Sequence, residues 1–495
     1  MKGGNDRRSS RMAAFARMNR VKAKNLIPCK GVDRMAKVEA SLAPVLDAEK
    51  TMSYPKFTFS WASDLIAIFA FMTGSGAIAA GLNMVQAMIA LTIAMLINVV
   101  LLSANGLPGF HFGIPMIVQM RPCFGDKAAS YVSAIRAIPA ILWTGYNSFL
   151  GALGLNMFSV ILFGYDNIWV WFFVFHFAQV VLSMLGVKSI LNFTAYAAIA
   201  LFVVILIMGV YVFYLFGVEN ISSVASSGGS WGLPFWGVVT ANVSMGITVV
   251  VNSSDYIRHV DNSSVPKYVA SYACGLIPTV LVLSGLGMVV YAMSGIWSPV
   301  DLFVKYVPNF FIVIIAMAFI ILGQFSTNMF ANIMPANMIW EHIFKFPWWF
   351  TSVFTGCLSL FVLPWFLTTS NGFYSFMNVY GALLGPLSGI MITDFIFLRK
   401  QKYNMRALYE PGGQYSYGKG VNQAGIFALV AGFLLSIIRL DFSTIVGIVS
   451  SAVIYYVLYR FWVLPKFPQA EMAAGYVMES PAVIREEAEE PQAAE

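Results

Sequence analysis

Apolar residues along this chain gather into runs of about twenty, interrupted by glycine, proline and charge. Runs of that length predict helices that cross a bilayer; the roughly ten-residue alternating segments of a membrane barrel are a different pattern. Reading the runs against their punctuation gives about twelve spans. They begin near Phe57, Met84, Ala128, Asn167, Ile190, Trp231, Val265, Leu302, Trp348, Gly372, Asn422 and Thr444. The expected fold class is an all-α membrane protein.

The loops between the runs supply an independent test of that count. With the basic N-terminus inside, the even-numbered loops are cytoplasmic. They hold Arg121 and Lys127, Lys188, Arg258 and Lys267, Lys345, then Arg399, Lys400, Lys402 and Arg406. The odd-numbered loops hold almost none, Arg439 beside Asp441 being the clearest exception. This alternation predicts both termini in the cytoplasm. The expected location is a plasma membrane of bacterial type.

Composition agrees, with 59% of the 495 residues hydrophobic, 11% charged and a mean hydropathy of +0.74, against roughly 25% charged residues in soluble chains. The net charge of +7 sits in the N-terminal tail and the alternate loops, so topology accounts for it. The bilayer is the expected partner and nucleic acid is not. Cys29, Cys123, Cys274 and Cys357 are scattered without C-x-x-C spacing and read as packing residues. Residues 1–55 lack the apolar core of a cleaved secretory signal and read as a basic cytoplasmic tail. Residues 466–495, ending in the acidic ESPAVIREEAEEPQAAE, are expected to be disordered, and the membrane domain lies between, over 56–465.

Two runs carry small and polar residues at mid-length. The first has Thr73, Gly74, Ser75 and Gly76, and the sixth has Asn242, Ser244, Gly246 and Thr248. Either set would serve close helix packing. Either would also serve a broken helix, whose unwound backbone is tolerated where it lines a cavity. Two interrupted spans five apart are what an inverted five-plus-five repeat predicts, with a site between the halves. The first repeat then covers about 57–217 and the second about 231–398, leaving spans eleven and twelve, about 422–463, outside.

The eighth run holds GQFSTNMFANIMPAN. At about 100° per residue, Gly323, Ser326 and Thr327 share one sector while Asn328 and Asn332 share another. Two hydroxyls beside an approachable glycine carbonyl resemble part of a hard-cation site; hydroxyls back-bonded to their own helix would look the same. In the third run Trp143 and Asn147 stand four apart on one face. A Trp face can stack a flat heterocycle while the amide pairs with its edge; a packed Trp with an interhelical Asn bond is the plainer alternative.

Charges at depth are few. Asp64, about two turns into the first run, is the one candidate for proton coupling, while Asp255 and Asp394 stand beside Arg258 and Arg399 and read as helix-end anchors. His176 reads as a packing histidine. No Walker loop, G-x-S-x-G or H-E-x-x-H occurs, so neither an enzyme nor an organic cofactor is expected.

Six segments, in order, give the chain a resemblance to a known family. They are MTGSGAIAAGL, FGIPMIVQMRPCFG, AIPAILWTGYNSFLGALGLN, VVNSSDYIRH, GQFSTNMFANIMPAN and GPLSGIMITDFIFLRKQKYNMRALYEPGGQYSYGKGVN. Over about residues 57–465 the chain resembles the nucleobase:cation symporter-1 family of cytosine, hydantoin and allantoin transporters. The resemblance implies a LeuT-like inverted repeat that carries a flat heterocycle with Na⁺ or H⁺ by alternating access. It implies that Trp143 stacks the substrate, that Asn147 stands where hydantoin-type members have a Gln, and that Asn332 contacts the ring edge. For Na⁺ it implies the backbone carbonyls of Ser63, Ile66 and Gly323 with the hydroxyls of Ser326 and Thr327.

Two departures from the hydantoin-type pattern matter. Its second stacking Trp aligns here with Gly246, next to Ser244-Met245, and Asn147 is one methylene shorter than Gln. Both point away from hydantoin, toward another pose or another ring such as cytosine, uracil, a purine, allantoin or a thiamine-type pyrimidine, with Phe69 or Phe71 as the opposing wall. The expected function is Na⁺-coupled import; H⁺ coupling through Asp64, or a channel or sensor without net transport, are the alternatives.

Overall fold

The computed structural model describes residues 42–186, 207–226, 228–306, 310–362 and 370–482, with residue 484. Among them the regular elements are helices, accompanied by one isolated β-bridge between Met52 and Val260. Four of the predicted span starts coincide with a side-chain cap. Helix α3 (Met84–Phe112) opens on a capping box, in which Asn83 accepts from the Gln86 N–H at 2.8 Å, and closes at Gly113 with φ 68°. Asn167, Ser264 and Asn422 cap α6 (Ile168–Met184), α10 (Val265–Ser294) and α15 (Gln423–Ile438) in the same way.

The predicted break in the first span is displaced. Residues 54–79 form α1 (Tyr54–Leu65) and α2 (Ile68–Ala79), bent by 60° where Ile66 (φ −79°, ψ 76°) and Ala67 (φ −146°, ψ 163°) leave the helical region. Thr73, Gly74, Ser75 and Gly76, where the break was expected, lie inside α2. Their smallness serves contact with α10: a Cβ on Gly74 would fall 1.8 Å from the Ser284 carbonyl oxygen, and one on Gly287 would fall 2.0 Å from that of Phe71. Ser75 Oγ donates to Gly287 O at 3.1 Å and Ser284 Oγ to Ala70 O at 2.8 Å, so hydroxyls tie the two backbones together. Gly74→Ala should therefore lower stability by at least about 2 kcal/mol through overpacking, read as a lower melting temperature in detergent; a loose, broken segment would tolerate it.

The sixth span is corrected likewise. Helix α8 (Leu233–Val251) is regular through Asn242, Ser244 and Thr248, whose side chains bond back to the carbonyls of Val238, Thr240 and Met245. The interruption comes at Asn252, followed by the short α9 (Ser253–Ile257). The eighth span starts at Phe310, because Pro299–Tyr306 forms a short helix ahead of it. It runs as α11 (Phe310–Thr327), a π-helical stretch Asn328–Ile333, and α12 (Met334–Phe344). The fifth start, near Ile190, lies outside the described residues, and of that span only α7 (Ile207–Phe216) is described.

Two groups of spans make the body. In one, α1 and α2 pack on α10, and α3 packs on α8 and α10. In the other, α5 (Asp126–Phe163) packs on α6 and α11, with α13 (Trp348–Ser359) against α6 and α12. Helix α14 (Ser370–Ile392) joins α8, α15 and α16 (Ser443–Leu458).

Both tail expectations change. Residues 42–53 lie along the end of the bundle that carries the basic loops: Leu42 and Val45 are buried, and Val45 N–H donates to Gly113 O at 3.0 Å. At the other terminus, described through residue 482, Gln469 and Glu471 are buried. Glu471 pairs with Arg399, which also donates to Asp394 at 2.7 Å and to the hydroxyls of Tyr459 and Tyr417 at 2.8 and 3.0 Å. Composition alone predicts disorder for this acidic stretch, yet a buried guanidinium supplies a partner for one of its carboxylates. Asp394 is the helix-end anchor expected of it. Asp255 is another, accepting from the Met116 N–H at 2.8 Å at the start of α4 (Met116–Phe124).

Candidate functional site

The break between α1 and α2 borders a cavity of about 590 Å³, counting the space where it opens outward. Its wall takes Trp61, Asp64 and Leu65 from α1, Phe69 from α2, Asn98 from α3, Trp143 and Asn147 from α5, Gly246 and Thr248 from α8, and Thr327 and Asn332 from the eighth span. Among the expected substrate residues, Trp143, Asn147, Asn332, Phe69 and Gly246 thus come together. Phe71 and Ser244 do not. Phe71 is two residues from Phe69, roughly 200° round the helix, and its backbone meets Gly287 on α10. Ser244 Oγ turns to Thr240 O and Thr444 Oγ1, at 2.9 and 2.5 Å, toward α16.

Trp143 is held by rings that meet it obliquely. Phe69 lies 5.5 Å away at 62° and Phe376 5.3 Å away at 63°, with Tyr380 at 6.2 Å and 62°. Among the described residues no ring stacks parallel on it, which leaves the geometry a flat ligand needs. Asn147, one turn on, is fully buried, and neither its Oδ1 nor its Nδ2 has a hydrogen-bond partner. A buried amide left bare at both ends is costly unless something enters the cavity to meet it.

Asn332 is oriented from behind. Its Nδ2 donates to Asn328 Oδ1 at 3.0 Å, and Asn328 in turn donates to Thr144 O at 3.0 Å and to Gln179 Oε1 at 2.9 Å. Ser148 Oγ donates to the same Gln179 oxygen at 2.9 Å, and His176 Nε2 meets Gly356 O at 3.0 Å. Asn328 and His176 therefore position residues. The π-helical stretch carries both asparagines on a widened turn.

The cation candidates gather at the α1 break. Helix α11 packs against α1, and Thr327 Oγ1 donates to Asp64 O at 2.9 Å, a carbonyl that the end of α1 at Leu65 releases from the helical ladder. Ser326 Oγ is buried and has no hydrogen-bond partner. Ser63 and Gly323 are buried as well, and Ile66 is the first non-helical residue of the break. Carbonyl and hydroxyl oxygens are the kind of ligand a hard cation takes. No cluster of three or more His, Cys, Asp or Glu occurs among the described residues.

Asn98 escaped the sequence reading. Asn98 stood as one amide in a long apolar run, with no feature to separate it from Asn105, which bonds Val250 O and Val251 O as plain interhelical glue. Asn98 instead lies over Gly246, where an added Cβ would fall 2.5 Å from its Cγ. Asp64, read from its depth as the candidate for proton coupling, lines the same cavity. Arg136 faces elsewhere, tying α5 to Asn252 Oδ1 at 2.7 Å and Ala331 O at 3.0 Å.

A family profile described as permeases for cytosine/purines, uracil, thiamine and allantoin matches residues 44–464. The chain belongs to the nucleobase:cation symporter-1 family. It is 27% identical to a hydantoin permease of Microbacterium maritypicum over 450 residues, covering 86% of this chain and 90% of that permease. An allantoin permease of Bacillus subtilis is also 27% identical, over 461 residues covering 85% and 92%. Among solved structures, Mhp1, a nucleobase-cation-symport-1 transporter in a closed conformation with bromovinylhydantoin bound, superposes with a TM-score of 0.77. It is 25% identical over 88% of this chain and 97% of Mhp1. An inward-facing form of Mhp1 gives 0.79 over 92% and 98%. The nucleobase:cation symporter-1 fold, an inverted repeat of LeuT type, is thus the fold of this chain, and the chain is a multi-pass membrane transporter.

Proposed function

We propose that this transporter is a secondary symporter that carries a nucleobase-like flat heterocycle together with Na⁺ by alternating access. The observation that carries the reading is the Asn147 amide, fully buried, unpartnered at both ends and lining one cavity with Trp143. Trp143 would stack the ring, Asn147 and Asn332 would read its edge, and Gly246 would leave room where a second Trp is missing. The ion would sit between the carbonyls of Ser63, Ile66 and Gly323 and the hydroxyls of Ser326 and Thr327. Since Thr327 already links α11 to α1 at Asp64 O, an ion there would fix the break that borders the cavity. Ion and substrate would then raise each other's affinity by one shared factor.

Residence in a bacterial plasma membrane with both termini inside is part of the same reading, supported by the basic loops. In proteoliposomes of the purified chain, an inward Na⁺ gradient should drive uptake of a labelled ring such as cytosine or allantoin, with trans-stimulated counterflow. Uptake that follows a pH gradient and ignores Na⁺ would replace the ion site by proton coupling at Asp64, whose Oδ1 is buried without a partner. Binding without counterflow would replace transport by sensing.

A further inference from the structure

The cavity wall carries more acceptors than the ring-binding residues require. Asp64 is buried, lines the cavity, makes no ion pair among the described residues, and leaves Oδ1 with no hydrogen-bond partner. On the same cavity Asn98 is buried too. Its Nδ2 donates to Asn242 O at 3.0 Å, and because a carbonyl can only accept, that bond fixes which end of the amide is which. The free end is Oδ1, likewise without a partner. The amide keeps its place on the cavity wall because residue 246 is glycine: an added Cβ would lie 2.5 Å from its Cγ and 2.6 Å from both Nδ2 and Oδ1.

Two unpartnered acceptors on one cavity, one of them a carboxylate, penalise the empty site and penalise a ligand carbonyl placed against them. A ligand N–H relieves both penalties. Resting on the heterocycle reading above, we infer that Asp64 and Asn98 are specificity-determining residues that select rings presenting an exocyclic amino group, as in aminopyrimidines and aminopurines, over rings with a carbonyl at that position. Asn147, able to donate and accept, reads the remaining edge, and Trp143 sets the plane without preference for either substituent. Neither Asp64 nor Asn98 belongs to the set expected from the family pattern to contact the ring.

The test uses pairs matched in size that differ by amino against carbonyl: cytosine with uracil, and adenine with hypoxanthine. Affinities are measured by ligand-induced thermal shift on the purified full chain in Na⁺ buffer. The amino member should bind at least about tenfold more tightly in each pair that binds. The isosteric Asp64→Asn should reduce that ratio about tenfold while the ratio of affinities with and without Na⁺ persists. Uracil or hypoxanthine binding as well as its amino partner overturns the assignment and leaves the heterocycle carrier standing. Asp64→Asn that abolishes Na⁺ dependence instead assigns the carboxylate to the ion and also overturns it. No shift from any of the four rings, on a chain that melts cooperatively, overturns the assignment; the heterocycle reading falls with it only if allantoin and a thiamine-type pyrimidine also give no shift. The comparison on the unmodified chain decides the matter even where the variant does not fold.

Discussion

Trp143→Ala should abolish saturable heterocycle binding at ligand concentrations that saturate the parent protein. Base-on-aromatic stacking is worth about 1–3 kcal/mol by alanine substitution, which corresponds to roughly five- to 150-fold in affinity. The loss at this position should reach the upper end, because Phe69, Phe376 and Tyr380 brace the indole at 5.5, 5.3 and 6.2 Å and would collapse toward the gap. Truncating so buried a ring also costs stability, about 3–5 kcal/mol, so melting without ligand has to be measured beside the ligand-induced shift. Trp143→Phe is the companion variant: it keeps a ring between the same neighbours, should fold, and should bind with intermediate affinity. A cooperative Trp143→Ala protein with unchanged affinity would remove the stacking role.

Ser326→Ala should do something less usual and leave the protein no less stable in Na⁺-free buffer. Its hydroxyl is buried with no partner, so deleting it removes an unmet polar group and breaks no bond. The effect should appear only with the ion present. In the parent, Na⁺ should tighten ring binding by about 5- to 150-fold, the usual range of such couplings, and should raise the melting temperature by mass action. In Ser326→Ala both responses should largely vanish. Adding Thr327→Ala should complete the loss and also cost roughly 1 kcal/mol of stability, since Thr327 gives up its 2.9 Å bond to Asp64 O. If the double variant kept the parent's Na⁺ dependence, the ion would have to sit elsewhere.

The candidate site divides along the same physical lines. Trp143, Asn147, Asn332 and Thr327 were legible because large aromatic and polar side chains inside a bilayer-length run are expensive and so stand out one at a time. The direction in which a residue points was not legible where two similar residues lie close together. Phe69 lines the cavity while Phe71, two residues on, is buried away from it, its backbone packed on Gly287 of α10. Asn98 and Asn105 present the same problem: both donate to carbonyls of α8, but only Asn98 also lines the cavity. Their roles are set by the partner helix, which lies more than a hundred residues away in the chain.

Apolar run length, a local feature, determined by itself that this protein crosses a membrane and nearly where most described spans begin, and six short segments in order determined which family it belongs to. The tertiary structure alone decided where the helices are interrupted. Small residues invited breaks at Gly74 and Gly246, yet glycine in a bilayer span serves equally to let another backbone approach, and Ser284 and Asn98 occupy those approaches. The real break falls at Ile66 and Ala67, residues with no breaking tendency of their own. A helix can open there because Thr327, from a span more than 250 residues later, donates its hydroxyl to the freed Asp64 carbonyl.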